Sequence, residues 1–113
     1  ILYSYVQPTT VLASALAASG VQGIVFAGTG AGLISTAERA SLKPLIEAPA
    51  ATRPVLVRSN RTGNGRVVAL ADYDGLGMIP GDNRTPQKAR ILLMLGLTKT
   101  RDLAELRRMF AEY

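Results

Sequence analysis

No cysteine, no histidine and no tryptophan occur among the 113 residues. Without cysteine there is no disulfide, no thiolate nucleophile and no thiolate metal site. Without histidine, the usual general base and the usual zinc ligand are both missing. Ser–His–Asp and Cys–His arrangements are therefore excluded by composition. Aromatics make up only 5% of the chain, which leaves Ala, Val, Ile and Leu to build the core. No apolar run approaches the roughly 20 residues that a membrane-spanning helix needs.

What is present is a chain of one domain's length with 48% hydrophobic residues, enough for a core. Thirteen Lys and Arg against eight Asp and Glu give a net charge of +5. The basic residues spread from Arg39 to Arg108, densest at Arg53, Arg58, Arg61 and Arg66, with no interleaved aromatics. That pattern reads as a solvated charged face rather than a nucleic-acid platform, so neither a nucleic-acid nor a membrane partner is expected. The first residue is Ile1, and residues 1–6 read as a buried strand. A chain that opens inside a core element, with no leader ahead of it, is expected to be part of a longer protein.

Further along, Pro8-Thr9-Thr10 opens a helix that a threonine is expected to cap and Gly20 to stop. Residues 23–27 are apolar without alternation, as in a strand covered on both faces. Ser35-Thr36-Ala37-Glu38 is a capping box, and Pro44 should kink or end the helix that follows. Residues 54–58 form a third strand, and Asn64-Gly65 marks a turn. Residues 66–84 read as a long, functional loop with at most short structure. Thr85-Pro86 starts the next helix, whose residues 91–97 are apolar nearly all round and so are expected to be buried or to lie in an interface. Asp102-Leu103-Ala104-Glu105 is a second capping box, and Leu103, Leu106, Met109 and Phe110 mark the face of the last helix. The order β-α-β-α-β-loop-α-α predicts an α/β domain, a parallel sheet flanked by helices in the Rossmann-like or flavodoxin-like manner.

Gly28-Thr29-Gly30-Ala31-Gly32 follows a strand and precedes a helix, where parallel sheets bind ligands. It fails the dinucleotide fingerprint, because residue 33 is Leu33 and no acidic residue lies about 20 positions on. A tight turn or a loop bordering an active site remains. Asp72 and Asp74 could form a carboxylate pair but read as solvated loop acids, and Asp82 adds no calcium-loop pattern. Tyr3 and Tyr5 read as packing residues, and no lysine stands in a Schiff-base context. Residue chemistry alone yields an α/β domain without a complete catalytic set.

Three segments carry a resemblance: residues 23–32, residues 57–65 with Arg61-Thr62-Gly63-Asn64-Gly65, and residues 86–95 with Pro86-Gln87-Lys88-Ala89-Arg90. In order and spacing they resemble the C-terminal domain of bacterial periplasmic-type L-asparaginases and glutaminase-asparaginases. The resemblance implies hydrolysis of the side-chain amide of Asn or Gln, by a threonine in an N-terminal domain that these residues do not include. It implies no metal or organic cofactor. It further implies a dimer of intimate dimers, in which this domain lends residues to a neighbouring subunit's active site. A periplasmic or secreted location follows, with the cytoplasm as the alternative.

The lent positions implied by the resemblance lie along Gly30, Gly32 and Leu33, and near Leu70 or Asp72. Leu33 stands where the family carries a small polar residue, and it can make no hydrogen bond to a substrate ammonium. Ungapped counting from Pro86 puts Leu70 at the family's glutamate. Asp72 is favoured instead, because an ammonium wants a carboxylate. A catalytically silent binding or scaffold module of the same fold is the alternative reading.

Overall fold

The computed structural model describes residues 1–6 and 8–113. In chain order the elements are β1 (Leu2–Tyr3), α1 (Leu12–Ala18), β2 (Gly23–Gly28), α2 (Thr36–Ser41), α3 (Lys43–Glu47), β3 (Val55–Asn60), α4 (Ala71–Asp74), β4 (Ile79–Pro80), α5 (Pro86–Leu97) and α6 (Leu103–Glu112). Among the described residues the four strands form one parallel sheet in the order β1-β2-β3-β4. Every connection steps the same way, so crossovers of one hand all fall on one face. Ala13, Leu42, Leu45 and Tyr73 accordingly share a core with Leu2, Ile24, Phe26 and Leu56. Ala89, Leu93, Leu106 and Phe110, from the two helices after the last strand, cover Val25, Val55, Val57 and Ile79 on the other face. Alternating strand residues point to opposite cores, as the pleat requires.

Several local signals act as read. Ser35 accepts from the Glu38 backbone N–H, and the Glu38 carboxylate accepts from the Ser35 N–H at 2.8 Å. Thr85 caps α5 through the Lys88 N–H, with Pro86 in the first turn. Pro44 divides the expected single helix into α2 and α3, because its ring suits a first turn and not an interior.

Others differ. The expected strand over residues 1–6 contracts to Leu2–Tyr3, paired with Phe26 and Ala27, and Ile1, Tyr3, Tyr5 and Val6 stand exposed. β1 is an edge strand, and α5 packs over β2 and β3 instead of over it. No threonine caps α1: its N-cap is Val11, without a side-chain bond. The second capping box is half formed. Asp102 caps α6, but the Glu105 carboxylate binds Arg108 Nε at 2.9 Å, which holds its carboxyl below the usual range. In α5, Leu93 is buried, whereas Ile91, Met94 and Leu95 are more than half exposed at 56%, 53% and 61%.

Candidate functional site

β2 and β3 run in register from Gly23↔Val55 to Gly28↔Asn60, so their carboxyl ends finish side by side. The chain leaving β2 turns back at once: Thr29 N–H donates to Leu33 O at 2.9 Å and Leu33 N–H to Thr29 O at 2.8 Å. This small antiparallel pair needs left-handed residues between its arms. Gly30 (φ +51°) and Gly32 (φ +75°) supply them. At Gly32 space also decides, since a Cβ would lie 2.8 Å from a methyl of buried Val67. Val67 is in turn held to Asp82 by two backbone hydrogen bonds of 2.9 and 3.1 Å. The turn before it is knotted by Asn60 Nδ2, which donates to Asn64 O and Gly65 O at 2.7 and 3.1 Å.

The expected loop of residues 66–84 thus contains α4 and β4 as its short structure. α4 brings Leu70, Asp72 and Tyr73 beside Leu33. Together with Ile34, Arg39 and Ala71 they line an open depression of about 440 Å³. Asp72 lies in the first turn of α4 with its side chain 78% exposed, and its Oδ2 accepts from Arg39 Nη1 at 3.2 Å. Leu33 is 43% exposed at the rim. The two side chains singled out in sequence therefore share one cavity, while Gly30 and Gly32 shape the loop beside it. Asp74 and Asp82 do not join them, and Asp82 pairs with Arg66 Nε at 2.6 Å.

Three further residues shape this region, Arg39, Arg58 and Tyr73, and no sequence motif marks them as site residues. The charge pattern reads Arg58 as part of a solvated basic face, and the structure corrects this: it is 1% exposed, in a strand where all six residues are buried. Its guanidinium donates to Val68 O at 2.5 Å and to Gly32 O at 3.3 Å, with Ala31 O at 3.5 Å. It lies 4.1 Å from the centroid of the Tyr73 ring, and Arg39 lies 5.3 Å from the same centroid. Burial pushes the Arg58 guanidinium below the ordinary arginine value, a shift opposed by Tyr73 and Asp74. The Tyr73 phenol accepts from the Ile34 N–H at 3.1 Å and faces Ile34 O at 3.3 Å as donor. One signal could have found Arg58. In a strand buried on both faces, an arginine two residues after Leu56 must point into the same core as Leu56.

Chemically, the depression offers a carboxylate, a guanidinium and an apolar rim. The phenol is the one hydroxyl among its described lining residues, and it is committed to the backbone. Its groups suit holding and orienting a charged molecule, and no free hydroxyl stands among its described lining residues.

A family model described as the glutaminase/asparaginase C-terminal domain matches residues 1–110. An L-asparaginase 2 of Bacillus subtilis is 39% identical over 113 residues, covering 100% of this chain and 29% of the relative. A glutaminase-asparaginase of Pseudomonas fluorescens is 36% identical over 116 residues, covering 100% of this chain and 31% of the relative. The crystal structure of a Campylobacter jejuni protein described as a probable cytoplasmic L-asparaginase superposes with a TM-score of 0.88 at 40% identity, covering 99% of this chain and 36% of the other. The chain spans less than a third of the length of these two curated relatives. With an α/β domain, a glycine loop at the sheet's carboxyl edge and a family model that matches residues 1–110, the chain belongs to the glutaminase/asparaginase C-terminal domain family.

Proposed function

We propose that this chain is the C-terminal domain of an amidohydrolase that converts the side-chain amide of asparagine or glutamine to the acid and ammonia. In this reading a hydroxyl outside these residues attacks the amide, and an acyl-enzyme is then resolved by water. The chain's part is to close the site from the side. Asp72 meets the substrate ammonium, Arg39 holds the Asp72 carboxylate in place, and Gly30 and Gly32 let the loop bring Leu33 to the rim. Nothing in this set calls for a metal or an organic cofactor. The observation that carries the reading is a depression with charged groups at the carboxyl edge of a parallel sheet and no free hydroxyl among its described lining residues.

Assembly as a dimer of intimate dimers belongs to the same proposal. It is supported by the exposed apolar side of α5, Ile91, Met94 and Leu95, which water would otherwise meet. A periplasmic or secreted location is part of the reading. The relatives are named on both sides: one from Haemophilus influenzae carries "periplasmic" in its name, and the Campylobacter jejuni structure "cytoplasmic". No helix among the described residues is long and apolar enough to cross a membrane.

Two observations favour the scaffold alternative: the Leu33 side chain cannot hydrogen-bond, and Asp72 is already paired with Arg39. Ammonia release separates chain from enzyme. The 113-residue chain alone, at high concentration with Asn or Gln, is expected to release none. Release from a sample proven free of longer polypeptides would place the nucleophile within these residues and overturn the division of labour.

A further inference from the structure

Arg58 is a buried charge with no carboxylate within ion-pair distance among the described residues. Its Nε, also buried, has no acceptor there. Taking such a charge out of water is costly unless strong compensating bonds are made. Arg58 makes them to two separate segments: the glycine loop through Gly32 O and the residues after the turn through Val68 O. It also stacks on Tyr73 of α4, whose hydroxyl grips both backbone groups of Ile34. Three segments, the glycine loop and two neighbouring stretches at Val68 and at Tyr73, thus meet at one guanidinium and one ring. Two of them carry Leu33 and Asp72.

We propose that Arg58, acting with Tyr73, is the positioning residue of this site, a latch that sets the glycine loop, the Val68 segment and α4 at a fixed separation and so gives the depression its shape. The planar fork of arginine is what the task needs, because its N–H groups point in several fixed directions while its face stacks. A lysine ammonium is a single point of charge and cannot reach both carbonyls and the ring together. That the latched shape serves an amide-bearing amino acid rests on the amidohydrolase reading. The latch itself does not.

Amide hydrogen exchange on the ¹⁵N-labelled chain tests it. Three amides report the three segments: Leu33, bonded to Thr29 O, Ile34, bonded to the Tyr73 hydroxyl, and Val67, bonded to Asp82 O. In R58K, exchange at Leu33 and Val67 is expected to speed up by about tenfold to a hundredfold more than at Val25 and Leu93 in the core. In Y73F, which keeps the ring, Ile34 alone should quicken. In the unsubstituted chain the Arg58 Nε–H should persist as a slowly exchanging resonance, a readout that needs no variant to fold. A uniform acceleration of all amides in R58K, unchanged Leu33 and Val67, an unaffected Ile34 in Y73F, or a fast Nε–H would each overturn the proposal. No ammonia assay enters this test, so its failure and the failure of the functional reading are told apart.

Discussion

Gly28→Ala is expected to lower the unfolding free energy by more than about 3 kcal/mol, beyond the usual cost of one methyl group in a packed interior. A Cβ at residue 28 would lie 2.5 Å from the Gly32 carbonyl carbon and 2.6 Å from Leu33 O. Both are backbone atoms, so no side chain can rotate away. To admit the methyl, the turn must open, and the paired Thr29 and Leu33 hydrogen bonds lengthen with it. Gly32 O then leaves Arg58, and a buried guanidinium loses an acceptor. Gly30→Ala is the control. Nothing lies within 4 Å of its would-be Cβ, so only the left-handed backbone is penalised, at about 1–2 kcal/mol. Urea denaturation followed by circular dichroism checks both. A Gly28→Ala loss no larger than that of Gly30→Ala would refute the close-approach account.

Phe110→Ala is expected to cost about 3–5 kcal/mol, the range for emptying an aromatic site in a core. The ring is 1% exposed and packs in one cluster with Val57, Ile79 and Leu106. It also lies 5.6 Å beneath the Arg84 guanidinium, whose Nη1 binds Phe110 O at 2.7 Å. Arg84 O in turn accepts from Ser59 Oγ at 2.6 Å, at the end of β3. The substitution therefore loosens α6 and the peptide that steadies the sheet's carboxyl edge from behind. The same denaturation series measures it. A loss below about 1.5 kcal/mol would mean that the site collapses readily and that α6 contributes little.

Much of this architecture was legible because its causes are local. A capping box, a Thr-Pro start and a proline inside a helical pattern act through neighbours in sequence, and Ser35, Thr85 and Pro44 do what their chemistry requires. The glycine loop was legible for the same reason, since left-handed residues in a tight reversal favour glycine. Other features depend on partners far along the chain. Residues 1–6 have strand composition, yet the extent of β1 is set by pairing with Phe26 and Ala27 alone. Glu105 could have closed a box, but Arg108 one turn later competes for its carboxylate and wins.

The site divides in the same way. The family resemblance, not the residue pattern, points to Leu33 and Asp72, and both line the same depression. That Arg39 already holds Asp72 could not be read, because residues 39 and 72 meet only through tertiary packing. Arg58 was hidden by its neighbours. Arg53, Arg61 and Arg66 made it look like one more member of a solvated set. The burial of β3 on both faces, and the placement of Tyr73 against it, turn that charge inward.

The most direct measurement is ammonia release from asparagine by a joined protein. The portion of the Bacillus subtilis relative that lies outside the match would be fused to this chain, and each part also assayed alone. The account predicts no release from either part and clear release from the folded fusion, falling at least tenfold in D72N as the substrate ammonium loses its charged partner. A folded, assembled fusion that stays silent, or one that is indifferent to D72N, would contradict the claim that this chain completes an amidohydrolase site.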